Sequence, residues 1–231
     1  YGTEYATDSL KVYLIDITNN KTELILKEHV GDTDGTYDGT AFDLDNSMLY
    51  FTNYNSKELY RNDLDDDQTV ESVSCGVLEG TAASATFYDG KYYYVDEVSK
   101  SIYEVTFDVN GNILSDQIVS TVPNSVTVSD IAMDPAGDKL YIVGDVENQS
   151  PELITWTVAD DSYATVSLSV DEGTQIAYGS DGNLYAITPN YNGTSTTTIL
   201  DPETGISEPI EDGGVIIIDD PIKDISKGPI M

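Results

Sequence analysis

The chain has 231 residues, with 42 Asp plus Glu against 10 Lys plus Arg and a formal net charge of −32. That balance excludes nucleic acid and anionic membrane surfaces as partners, because both are bound through clustered cations. No apolar run approaches the roughly 20 residues of a bilayer-spanning helix, so no membrane insertion is expected, and the length suits one all-β domain.

Residues 5–7, 10–16 and 22–29 read as three successive strands, with Asn19-Asn20-Lys21 as a turn. No innermost strand precedes them. The first complete unit begins with Thr40-Ala41-Phe42-Asp43, turns at Asp45-Asn46-Ser47 and returns through Met48-Leu49-Tyr50-Phe51-Thr52-Asn53. Alternating apolar side chains either side of turn chemistry mark a hairpin. A third strand follows at 58–64, the polar Asp65-Asp66-Asp67, and a fourth strand at 70–75.

The same frame returns three times. Residues 84–96 turn at Asp89-Gly90, residues 130–145 at Pro135-Ala136-Gly137-Asp138, and residues 175–188 at Asp181-Gly182-Asn183. Third strands are expected at 101–107, 152–158 and 195–201, and fourth strands at 113–120, 163–170 and 206–210. Tyr50, Tyr93, Tyr141 and Tyr185 align, with spacings of 43, 48 and 44 by difference of position. A four-stranded unit with a period of roughly 40–50 residues is the mark of a propeller blade.

Residues 222–229 match the missing innermost strand in pattern. The expected fold is therefore all-β: a five-bladed β-propeller of four-stranded antiparallel blades, closed by a C-terminal strand joining the N-terminal blade. The boundaries are 1–30 plus 222–229, 38–76, 82–122, 128–171 and 174–212, all within one domain spanning 1–231. Such closure removes two open sheet edges at once. Between the last blade and the closing strand stand Gly213-Gly214, a hinge, and Val215-Ile216-Ile217-Ile218, an apolar strand that needs cover.

Catalytic constellations are scarce. His29 is the single histidine and no Gly-x-Ser-x-Gly elbow accompanies it. A zinc site needs several His or Cys ligands, and no glycine-rich phosphate loop occurs. Carboxylates placed near the axis are Asp43, Asp130, Asp134 and Asp224; a pair of them at about 5–10 Å is what glycoside hydrolysis requires, while turn and strand-end roles explain them equally. Asp32, Asp34, Asp108 and Asn110 echo fragments of a calcium loop, and Asp65 and Asp67 add a loose acidic run. All lack the bidentate Glu that completes the site, so calcium is the only ion with candidate ligands and no cofactor is expected. Cys75, the lone cysteine, reads as a small buried core residue.

Three Asn-x-Ser/Thr sequons, at Asn20, Asn148 and Asn192, fall in loops where a glycan is carried. With the acidity and a first residue that is not Met, suggesting a removed leader, they point outside the cell or to the cell surface. The 17 tyrosines supply either inter-blade packing or contact surface. In Tyr92-Tyr93-Tyr94 the alternation of faces turns at least one ring away from the core of its layer.

Leu49-Tyr50-Phe51-Thr52-Asn53 followed by Lys57-Glu58-Leu59-Tyr60 resembles the YVTN-type β-propeller repeat, as does Asp134-Pro135-Ala136-Gly137-Asp138-Lys139-Leu140-Tyr141-Ile142-Val143. It departs at Gly144 and at the three tyrosines. The resemblance implies scaffolding or binding on surface-layer and other extracellular proteins, with no shared catalytic residues. The leading expectation is a non-enzymatic structural or adhesive subunit, meeting copies of itself or a cell-surface partner with Val215, Ile216, Ile217 and Ile218 near the contact. A lectin-like glycan binder and a glycan hydrolase using axial carboxylates are the alternatives.

Overall fold

The computed structural model describes residues 2–6, 9–16, 21–29, 37–64, 72–123, 126–145, 149–190, 195–210, 215–216 and 224–225. The chain opens with β1 (Gly2–Ala6), β2 (Ser9–Asp16) and β3 (Lys21–His29). Then come β4 (Tyr37–Asp43), β5 (Met48–Asn53), β6 (Glu58–Asp63) and β7 (Val73–Val77), followed by β8 (Ala82–Tyr88), β9 (Lys91–Asp96), β10 (Ser101–Phe107) and β11 (Ile113–Thr121). The next set is β12 (Thr127–Met133), β13 (Lys139–Asp145), β14 (Glu152–Thr157) and β15 (Ser162–Ser167). The last strands are β16 (Gln175–Tyr178), β17 (Leu184–Pro189), β18 (Ser195–Leu200), β19 (Ser207–Pro209), β20 (Val215–Ile216) and β21 (Asp224–Ile225).

They form an all-β propeller of antiparallel four-stranded blades. The expectation of equal blades throughout is corrected in one respect. Four sheets have four strands, in the orders β21-β1-β2-β3, β4-β5-β6-β7, β8-β9-β10-β11 and β12-β13-β14-β15. The sheet that begins at β16 carries a further strand, because its outer lane is broken in two. One end of β18 pairs with β19 through Thr198, Ile199 and Leu200, and the other pairs with β20 through Ser195 and Thr196. Val215 and Ile216 are thus part of a sheet rather than a link between sheets; Ile217 and Ile218 lie outside the described residues.

The inner strands follow one another around the axis: β4 packs on β8, β8 on β12, β12 on β16, and β21 touches both β16 and β4. β21 pairs with β1, setting Gly2 opposite Ile225 and Thr3 opposite Asp224. Among the described residues, the closing register sits at Gly2 and Thr3.

Side-chain alternation explains why the strands read as nearly continuous apolar runs. Leu140 and Ile142 enter one core with Tyr93, Val95 and Ile102 of the preceding sheet. Tyr141 and Val143, on the opposite face, enter another with Ile176, Leu184 and Ala186 of the following sheet. A strand covered on both faces needs apolar residues at every position, as buried sheets do. This corrects the expectation for Tyr92-Tyr93-Tyr94. Tyr92 and Tyr94 pack with Tyr50 and Leu59 on one side, Tyr93 packs on the other, and all three are buried.

Local chemistry sets the hairpins. Asp89 and Gly90 both have positive φ, +49° and +74°, the requirement of a two-residue turn that matches strand twist. The turns after β5 and β9 repeat one design. Asn53 accepts from the amides of Asn55 and Ser56, Asp96 accepts from that of Ser99, and Lys57 and Lys100 close each turn with positive φ.

Candidate functional site

At one end of the axis, where β4, β8, β12 and β16 run into their hairpins, lies a cavity of about 280 Å3. Phe87, Tyr88, Met133 and Tyr178 supply apolar wall, Asp43, Asp45, Asp89 and Asp134 supply carboxylates, and no Lys, Arg or His lines it among the described residues. The size approaches the lower end for small-molecule sites, roughly 300–1,000 Å3.

Two of these carboxylates are engaged in the turns that carry them. Asp43 accepts from the Asp45 amide at 3.2 Å and from the Asn46 side chain at 2.7 Å. Asp134 accepts from the amides of Asp138 at 2.7 Å and Lys139 at 3.0 Å. Such bonds stabilise the turn and hold the side chain against it. Asp224 lies in β21, whose backbone alone is described.

Asp130 is different. It is 0 % exposed and sits one residue inward of the cavity wall. One oxygen accepts from Ser84 Oγ at 2.6 Å and from the Ile131 amide at 2.8 Å; the other accepts from the Ile176 amide at 2.7 Å. Ser84 Oγ also accepts from the Ile131 amide at 3.1 Å. Three inner strands, β8, β12 and β16, therefore meet on one carboxyl group. Burial pushes that group up to about 8, against the bonds from Ser84, Ile176 and Ile131; the charge of Asp38 on β4 pushes the same way as burial.

Bulges create this geometry. The ladder slips between Asp38 and Ala41 in β4, between Ala82 and Ser84 in β8, and between Val128 and Asp130 in β12. A bulge re-aims the residues beside it, and its recurrence at one level brings Ser84 and Asp130 together at the axis. Sequence reasoning placed Asp130 near the axis and missed Ser84 and Asp38. The available signal was a charged residue set among Val128, Ile131 and Met133.

The other candidates are spread around the rim or fall elsewhere. Asp108 accepts from the amides of Asn110 and Asn112 and from the Asn112 side chain, bonds that form its own turn and lower its pKa below the usual carboxylate range. Asp32, Asp34, Asp65, Asp67, Asn20, Asn148 and Asn192 lie outside the described residues. No group of three or more His, Cys, Asp or Glu side chains placed to hold a metal ion occurs among the described residues. Cys75 is buried beside Tyr50 and Leu59, and burial pushes its thiol up to about 11.

No family model matches the chain, and no curated protein matches it either. Solved structures do. A chain in a nidogen/laminin complex is 12% identical with a TM-score of 0.62, over 86% of this chain and 73% of that one. TolB from Acinetobacter baumannii is 18% identical with a TM-score of 0.55, over 92% of this chain and 52% of that one. A PQQ-bound aldose sugar dehydrogenase from Streptomyces coelicolor is 14% identical with a TM-score of 0.53, over 81% of this chain and 67% of that one. At these identities the likeness is one of fold, and its hosts include an enzyme beside proteins of other kinds.

Proposed function

We propose that this chain is a non-enzymatic propeller that works by protein–protein contact outside the cell or at its surface, as a structural or adhesive subunit. The observation that carries this reading is the apolar surface of neighbouring outer strands. Leu114 and Ile118 of β11 are 70% and 57% exposed, Val73 and Val77 of β7 are 51% and 63% exposed, and the two strands touch. Isolated exposed apolar residues are ordinary, whereas four of them on two strands that touch favour a contact surface on an otherwise acidic molecule. The commitment of Asp43 and Asp134 to turn amides also favours binding over hydrolysis, which needs a carboxyl free to exchange a proton with substrate. The reading extends to a five-bladed ring, supported by β21 touching both β16 and β4, and to self-association near β20.

Sedimentation of the purified chain and of Leu114→Glu/Ile118→Glu tests it. The reading expects the wild type to self-associate, or to bind cells of its source, and the variant to lose this with its fold intact. Equal behaviour of the two removes these strands from the contact.

A second reading, glycan binding, is favoured by the axial cavity, where Tyr88 and Tyr178 stand among carboxylates. Titration with a panel of oligosaccharides, with Tyr178→Ala as control, decides it. Absence of saturable binding counts against it.

A further inference from the structure

We propose that Asp130 is a proton-sensitive keystone of the axis: uncharged, it locks β8, β12 and β16 together, and charged, it loosens them and the cavity wall they form.

The geometry lets the neutral acid keep its bonds to Ser84 and Ile176. Ser84 Oγ, 2.6 Å away, is a hydroxyl and can donate or accept. When Asp130 is ionised, Ser84 donates to it. When Asp130 carries a proton, that proton goes to Ser84 Oγ, and the other carboxyl oxygen still accepts from the Ile176 amide at 2.7 Å. The ionised form keeps the same contacts but holds a charge at 0 % exposure. Among the described residues no cation bonds to the carboxyl, and a buried charge without one is costly.

The groups around it sharpen the contrast. β4 presents Asp38, a like charge. β8 presents Ser84, and β16 presents only the Ile176 amide. Among the described residues, several other titratable side chains on strands packed against β12 have partners of their own. Tyr93 of β9 donates to Glu104, Asp145 of β13 accepts from Ser129 and Gly173, and Tyr141 of β13 and Tyr178 of β16 face one another. Ile131 and Ile176, whose amides bind Asp130, are themselves wall residues of the cavity. The amides that Asp130 holds therefore belong to the cavity wall itself.

The direction with pH follows from linkage. The unfolded chain releases this proton near the ordinary Asp value, about 3.9. The folded chain holds it to higher pH, near the raised value that burial imposes. Between the two, the folded state binds more protons, so stability from this group is greatest at the acid end and is lost as pH rises through that window.

The experiment is thermal unfolding of the wild type and Asp130→Asn from about pH 5 to about pH 8.5, at low and high salt. The Asn side chain is uncharged and places an amide toward Ser84 and a carbonyl toward Ile176, while the Ile131 amide keeps Ser84 Oγ, 3.1 Å away, as its acceptor. The expected result is a wild-type Tm that falls across the range by at least the 2–4 °C typical of a small perturbation in a chain of this size. In the variant this component disappears, and the wild-type excess persists at high salt, which screens surface repulsion but not a buried charge. Parallel curves for the two proteins overturn the proposal. Should Asp130→Asn not fold, NMR of the Asp side-chain carboxyl carbons replaces it. One carbon titrating above about pH 6, and moved to lower pH by Asp38→Asn, supports the keystone; all titrating near the ordinary value, or a high titration unmoved by Asp38→Asn, overturns it.

Discussion

The Tyr92 hydroxyl donates to the carbonyl oxygen of Gly39 at 2.6 Å, joining β9 to the inner strand of the preceding sheet. Both residues are buried. Tyr92→Phe removes the donor and keeps the ring, leaving the carbonyl without that bond. The expected loss is about 1–3 kcal/mol. Urea unfolding checks it, as a lower midpoint with an unchanged slope.

Gly39→Ala is expected to cost more. Gly39 has φ of +58°, and a Cβ there would stand 2.7 Å from Tyr92 Oη and 2.8 Å from Ala82 Cβ. The left-handed backbone costs an L-residue about 1–2 kcal/mol, and overpacking adds about 1–3 kcal/mol. Combining it with Tyr92→Phe relieves the first collision and leaves the second, so a double-mutant cycle should show the two losses to be less than additive.

Asp96 gives a pH dependence of the opposite sign to Asp130. Burial raises its pKa, but the Ser99 hydroxyl and amide, the Thr81 amide and the charge of Lys57 outweigh burial and bring it below the usual carboxylate range. The Thr81 and Ser99 amides donate to it at 2.6 Å and 2.7 Å. A depressed group contributes stability above its unfolded value, about 3.9, and that stability is lost as pH falls through the folded value. Asp96→Asn should weaken the fold by about 1.5–3 kcal/mol at pH 7, the range for bonds to a charged group. Below the folded value the difference should shrink. Denaturant midpoints at neutral and acid pH read it.

Cys75 should be inert in the folded protein. It is 3% exposed, and its thiol is pushed up to about 11, so little thiolate forms near neutrality. An aromatic disulfide reagent at about pH 8 is expected to label the denatured chain stoichiometrically and the native chain at the rate of unfolding. Rapid labelling of native protein would place Cys75 at the surface.

Much of the blade was legible because its signals are local. Asp89-Gly90 specifies a turn by itself, and the tyrosines at 50, 93, 141 and 185 mark equivalent strands without knowledge of what they touch. The burial of all three of Tyr92, Tyr93 and Tyr94 was not legible, since alternation says that faces differ and not that both are covered. The meeting of Ser84 with Asp130 was hidden for another reason. It depends on bulges in two separate inner strands, and a bulge is set by the packing of neighbouring sheets as much as by its own residues. The broken outer lane at β19 and β20 likewise follows from how β18 is shared, which no local pattern records.

The pairing of Gly2 with Ile225 has a consequence for biosynthesis. At about 5–20 residues per second, a ribosome delivers the partner of β1 tens of seconds after β1 itself. Throughout that interval the hydrogen-bonding edge of β1 is vacant while later sheets stack beside it. An emerging chain with an open edge can recruit a strand from a neighbour on the same message. The strong negative charge offers one kinetic safeguard, because like-charged nascent chains repel until the final strand arrives.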